Sequence, residues 1–167
     1  MNAFVRRLRR EHAGVPFVDP LYGGIKARVL ILMEAPGPLG AQRTNLLSLD
    51  NPDGTAANLF RFVEAAGLAR TDLLSWNAVP WPSERLTSVE RAKGVDVLLG
   101  LLDLLPRLRV VIPMGRPAQQ CWQSATSRAR KRIEWRGTWH PGGLGLARPG
   151  RREEVLATLR WAARQLD

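Results

Sequence analysis

The strongest constraint on the fold is an alternation of short apolar runs with segments of helical periodicity, sustained from residue 27 to residue 166. Residues 27–33 (ARVLILM) are almost wholly apolar, rich in branched side chains and closely followed by Pro36-Gly37-Pro38. A run this short and apolar on both faces reads as a strand buried on both sides. Residues 72–79 (DLLSWNAV), 109–113 (RVVIP) and 133–139 (IEWRGTW) read as three more strands. A helix is expected over 56–66, capped by Thr55, with Leu59, Phe60, Val63 and Ala66 on one face and Gly67 at its stop. A longer helix is expected over 87–105, with Thr87 as cap, Glu90 completing a capping box, and Val97, Leu98, Leu101, Leu102 and Leu105 inward. Helices over 117–126, opened by Pro117, and 151–166 complete the pattern, and Phe4, Val5 and Leu8 suit a short first helix. Residues 14–24 and 34–54 read as loops, the second long enough to carry function.

Strand–helix alternation implies an α/β fold: one three-layer α/β/α domain over residues 1–167, with a mostly parallel central sheet of about four strands. Ligands of such sheets bind beyond the carboxyl ends of the strands. Those ends are Glu34-Ala35-Pro36-Gly37, Asn77-Ala78-Val79-Pro80, Met114-Gly115 and His140-Pro141-Gly142-Gly143.

Charge narrows the class of partner. Lys and Arg number 25 against 15 Asp and Glu, a formal net charge of +10. A small domain with this excess suits a polyanion, most often nucleic acid, although a general arginine bias produces the same composition. Cys121 is the only cysteine, and the two histidines, His12 and His140, are far apart. A disulfide within the chain and a cysteine-ligated cluster are therefore excluded, and neither a metal nor another cofactor is expected. No apolar stretch reaches the ~18–20 residues that cross a bilayer. The basic start, MNAFVRRLRR, runs into Glu11-His12-Ala13-Gly14 rather than an apolar segment. A cytoplasmic monomer without membrane contact is expected.

Three residues at the strand ends carry chemistry. Glu34 sets a carboxylate at the ligand edge; the alternative is a cap or an ion pair with one of the many arginines. Asn77 interrupts an apolar run, and a buried Asn needs partners for both its oxygen and its nitrogen. Those partners are either neighbouring loops or a base edge offering one donor and one acceptor. His140, ahead of Pro141-Gly142-Gly143-Leu144-Gly145, is either an ordinary loop histidine or a donor to developing negative charge, with backbone amides nearby.

In that order and spacing, Glu34-Ala35-Pro36-Gly37, Asn77 and His140-Pro141-Gly142-Gly143-Leu144-Gly145 resemble the uracil-DNA glycosylase superfamily, and residues 51–68 resemble the helix that follows its first motif. The resemblance covers roughly Val29 to Gly145 and is nearest the bacterial branch with a Glu-Ala-Pro-Gly signature. It implies a monofunctional glycosylase of DNA repair that hydrolyses the N-glycosidic bond of deoxyuridine and leaves an abasic site. Glu34 and His140 would be catalytic. Asn77, with Ala35, Pro36 and Gly37, would hold uracil flipped out of the duplex. Uracil offers a donor at N3 and an acceptor at O4, which one amide matches and cytosine reverses. Pro141, Gly142, Gly143 and Leu144, with Arg148, Arg151 and the adjacent Arg152, would meet uracil-containing DNA, Leu144 as the wedge that fills the stack. The alternative for Leu144 is a buried loop residue.

Departures from the family pattern are specific. Ala35 stands where the fastest branches carry a water-activating Asp or Asn, which leaves Asp50, Asn51 and Asp53 as substitutes. Gly37 stands where some branches carry a tyrosine against the thymine methyl. The four cluster cysteines of the Glu-Ala-Pro-Gly branch are missing, and the last loop reads His-Pro-Gly-Gly. Phe17, Tyr22 and Trp81 are candidates for the aromatic that stacks on the base. Arg128, Arg130, Lys131 and Arg132 form a second basic cluster. Two other functions compete: a fold of this superfamily that binds DNA with little or no hydrolysis, and an unrelated nucleotide enzyme. The second lacks a Gly-rich phosphate loop after the first strand.

Overall fold

The computed structural model describes residues 1–83, 86–130 and 132–167. Strands β2 (Val29–Met33), β4 (Leu73–Asn77), β5 (Val110–Pro113) and β6 (Glu134–Trp135) form one sheet in the order β4-β2-β5-β6, with every pair parallel. Val29, Leu30, Ile31 and Leu32 are fully buried, as are Val110, Val111 and Ile112, so the central strands are apolar on both faces because both faces are covered. Helices α3 (Gly54–Ala65) and α6 (Arg151–Arg164) pack together; α4 (Ser88–Leu102) and α5 (Arg116–Thr126) do the same. Right-handed crossovers put these two pairs on opposite faces and give the expected three layers. The connections after β2 and β5 thus leave to opposite sides, and a crevice opens at the carboxyl ends of the strands.

The segments read as loops hold small elements. Strands β1 (Phe17–Val18) and β3 (Leu46–Leu47) pair in parallel, and α2 (Ala41–Thr44) makes one turn before β3. Helix α1 (Asn2–Leu8) buries Phe4 and Val5. The two strands and α2 are too short to show a period in the sequence, whereas α1 is the expected short first helix.

Three local expectations change. Helix α3 is capped by Asp53, not Thr55: one carboxylate oxygen accepts the N–H groups of Thr55 at 2.8 Å and Ala56 at 3.1 Å. A charged acceptor at the helix start also meets the positive end of its dipole. The inward face of α3 keeps Leu59 and Val63 but carries Phe62, three positions after Leu59, in place of the exposed Phe60. The last strand keeps only Glu134–Trp135 and a bridge from Met114 to Thr138. The capping box of Thr87 and Glu90 forms as expected, and Gly67 takes a left-handed φ of 70° after α3.

Candidate functional site

Strand alternation places Ser75 and Asn77 on one face of β4, and both are almost completely buried, at 2% and 1% exposure. They line a cleft of about 100 Å3 at the carboxyl edge of the sheet, far smaller than drug-sized pockets and of the order that takes a single ring. Met33 at the end of β2 and Ala35, Pro36 and Gly37 beyond it line one side; Ser48, Asn51, Asp53 and Thr55 line it around the start of α3; Tyr22 and His140 join them, with Ala41, Leu47, Ala56 and Leu59 as apolar wall.

The Asn77 side-chain oxygen is buried and has no hydrogen-bond partner among the described residues. Such an acceptor costs about 1–3 kcal/mol unless a ligand supplies the donor. Tyr22, which lines the same cleft, is buried with its hydroxyl 3.0 Å from the Ser75 hydroxyl, and burial pushes its pKa up to about 12. It is therefore neutral and presents a ring held at its far end.

His140 follows the bridge at Thr138. Gly115, which precedes α5 at a φ of 86°, donates to the Thr138 carbonyl at 2.8 Å, and a side chain at position 115 would press on the His140 β-carbon at 3.3 Å. Burial lowers the His140 pKa, with Asp53 pulling weakly the other way. Its Nδ1 accepts the Gly142 N–H at 3.0 Å. Those two facts assign the neutral tautomer with the proton on Nε2, a donor without charge. The loop beyond is anchored twice. Asn58 of α3 donates to the Pro141 carbonyl at 2.9 Å, and Arg151 donates to the Gly145 carbonyl at 3.0 Å while stacking 3.8 Å over Trp139. Arg151 thus shapes the loop, whereas Gly143, Arg148 and Arg152 are exposed. Pro141 is buried, and Leu144 stands 94% exposed, which removes the buried-loop alternative for it.

The three auxiliary candidates separate. Asp50 is exposed, pairs with Arg70 at 2.7 Å and does not line the cleft. Asn51 lines it but is spent on Thr44 and the Leu46 carbonyl, at 2.7 and 2.9 Å. Asp53 lines it with one oxygen on the helix cap and the other beside Gly40, where any β-carbon would sit 2.0 Å from that oxygen. The chain seats this carboxylate by omitting a side chain at position 40.

Glu34 is not among the residues lining the cleft. Its carboxylate lies 3.8 Å from the Arg91 guanidinium, and its backbone carbonyl accepts the Val79 N–H at 2.9 Å. The ion-pair alternative describes its position, because Arg91 on α4 reaches the end of β2. Of the aromatic candidates only Tyr22 reaches the cleft. Phe17 lies under Arg9 at 4.7 Å, and Trp81 stacks on His12 at 3.8 Å. In the second basic cluster, Arg128 is engaged by Asp96 at 2.8 Å, Arg130 and Arg132 are exposed, and Lys131 lies outside the described residues.

Sequence reasoning missed Ser75, Ser48, Thr55 and Met33 as lining residues, together with the apolar Ala41, Leu47, Ala56 and Leu59. Ser75 was recoverable, since it lies two positions from Asn77 on the same strand face. Among the described residues no group of three or more His, Cys, Asp or Glu is arranged to hold a metal ion, and no helix is long and apolar enough to cross a membrane.

The family model of the Uracil DNA glycosylase superfamily matches residues 20–162, which takes in every residue of the cleft. No curated protein matches the chain.

Proposed function

The chain belongs to the uracil DNA glycosylase superfamily, and from that premise we propose that it removes uracil from DNA by hydrolysing the N-glycosidic bond of deoxyuridine, leaving an abasic site. The observation that carries this reading is the buried, unpartnered Asn77 oxygen in a single-ring cleft beside a neutral His140. The amide oxygen accepts from uracil N3–H and the amide nitrogen donates to O4. Cytosine presents the reverse pattern and leaves both buried groups mispaired.

To enter the cleft the nucleotide swings out of the duplex, and Leu144 fills the stack it leaves. As the bond from C1′ to N1 breaks, its electron pair passes to the uracil ring and charge gathers on O2. The Nε2–H of His140 donates to that oxygen. Water adds to C1′, and its proton goes to the Asp53 carboxylate, the acidic group that lines the cleft where Glu34 does not. Exposed Arg148 and Arg152 neutralise phosphates.

A uracil-containing oligonucleotide, treated with protein and then alkali, tests the activity: a break at the uracil is expected. Protein that binds the strand and leaves it intact would support the DNA-binding module instead, the reading that Ala35 and the diverted Glu34 favour. Asp53→Asn keeps a capping oxygen and removes the proton acceptor, so it should retain its melting temperature and lose ~10²-fold or more in single-turnover rate. Leu144→Ala should lower the rate on paired uracil by about 10-fold and leave unpaired uracil nearly unaffected, because unstacking is the step it assists. Equal losses on both substrates would remove the wedge role.

A further inference from the structure

We propose that Arg70 is a positioning residue for the cleft, clamping its Tyr22 wall to the segment that leads into Asp53; this rests on the functional reading above. Arg70 lies in the short turn before β4, about three-quarters buried and outside the cleft. Its guanidinium donates to Asp19 at 2.9 Å, to the Ser48 hydroxyl at 3.2 Å, and through both terminal nitrogens to Asp50 at 2.7 and 3.2 Å. It sits 5.8 Å from the centre of the Tyr22 ring. One side chain thus joins two segments, 19–22 and 48–50, that are distant in sequence from each other and from Arg70.

Each segment carries a part of the cleft. Asp19 is 5% exposed, accepts the Leu21 N–H at 2.8 Å, and through its backbone carbonyl accepts the Tyr22 N–H at 3.1 Å. The chain entering Tyr22 is therefore tied to the carboxylate that Arg70 holds. Ser48 lines the cleft, donates to Asp19, and accepts the Asp50 N–H at 3.0 Å, three residues before Asp53. Exposed ion pairs contribute little, but Asp19 is buried, and an unpaired charge there is costly. Without Arg70 the buried Asp19 carboxylate loses its charge partner and must reach for water, a movement that shifts Tyr22 and Ser48. Reacting groups tolerate little of this, since a displacement of about 1 Å can lower a rate ~10²-fold.

Tyr22 is the only tyrosine of the chain, so protein carrying ring-labelled 13C-tyrosine reports on this wall alone by NMR. Arg70→Met should move the Tyr22 ring signal in the free protein and weaken its response to added uracil. It should also lower single-turnover cleavage by ~10–10²-fold with DNA affinity unchanged. Asp50→Asn removes only the exposed half of the clamp and keeps the buried pair. It should shift the same signal and the same rate to a smaller extent, and it decides the matter if Arg70→Met does not fold. A folded Arg70→Met protein with the wild-type ring signal and rate would reduce Arg70 to a stabilising ion pair and overturn the proposal alone. Wild-type protein that leaves uracil-containing DNA uncut and whose Tyr22 signal ignores free uracil would overturn the functional reading, and this proposal with it.

Discussion

Replacing His140 with alanine is expected to lower single-turnover cleavage of uracil-containing DNA by ~10²–10³ while DNA affinity stays nearly unchanged. Negative charge reaches uracil O2 only as the glycosidic bond breaks, so a donor aimed there stabilises the transition state more than the bound substrate. The donor is already oriented, because Nδ1 is occupied by the Gly142 N–H. Burial holds the His140 pKa below its ordinary 6.5, with Asp53 opposing it. The imidazole therefore stays neutral further into acid than a free histidine does, and any titration it imposes on the rate should lie below the ordinary value. Stability behaves differently. Below pH 6.5 the unfolded chain binds a proton at this position before the folded chain does, so folding loses free energy as the pH falls toward the lowered value. Melting temperatures between pH 7.5 and 5.5 should fall more steeply in the wild type than in His140→Ala. Equal losses of binding and cleavage in that variant would make His140 a docking residue.

Asn77→Asp should lose ~10² or more on uracil, because the amide donor facing O4 becomes an acceptor or a hydroxyl without a fixed proton. At 1% exposure a carboxyl group there is also held uncharged against a folding penalty, so the variant is compared with Asn77→Ala, which carries no polar group to bury. Both should fall on uracil, and circular dichroism should show both folded. Near wild-type cleavage by either would make Asn77 a structural residue and remove the recognition scheme.

Much of the cleft could be read before any coordinates, for one physical reason. Strand ends in a parallel sheet share an edge, so Ala35-Pro36-Gly37, Asn77 and His140 are neighbours in space wherever the strands are recognised correctly. Side-chain direction at those ends is another matter. Glu34 follows the same strand as Ala35, yet it turns to Arg91, 57 positions further along the chain (91 − 34). Nothing in the spacing distinguished Asp53 from Asp50 or Asn51. Their roles depend on which one caps α3, which one meets Arg70 and which one is held by Thr44. Tyr22, Phe17 and Trp81 were equivalent as aromatics until partners outside their own segments sorted them.

The sequence by itself determined the strand–helix order, the parallel sheet and the net positive charge. Hydrophobic periodicity, capping and composition are local or additive properties, and the chain carries them in any conformation. The tertiary structure alone decided which carboxylate enters the cleft, that the Gly142 N–H occupies His140 Nδ1, that the Asn77 oxygen is left unpaired among the described residues, and that Leu144 stands clear of the surface. Burial, pairing and tautomer follow from groups that meet only when distant segments pack, and no spacing along the chain encodes which of several like side chains will meet them.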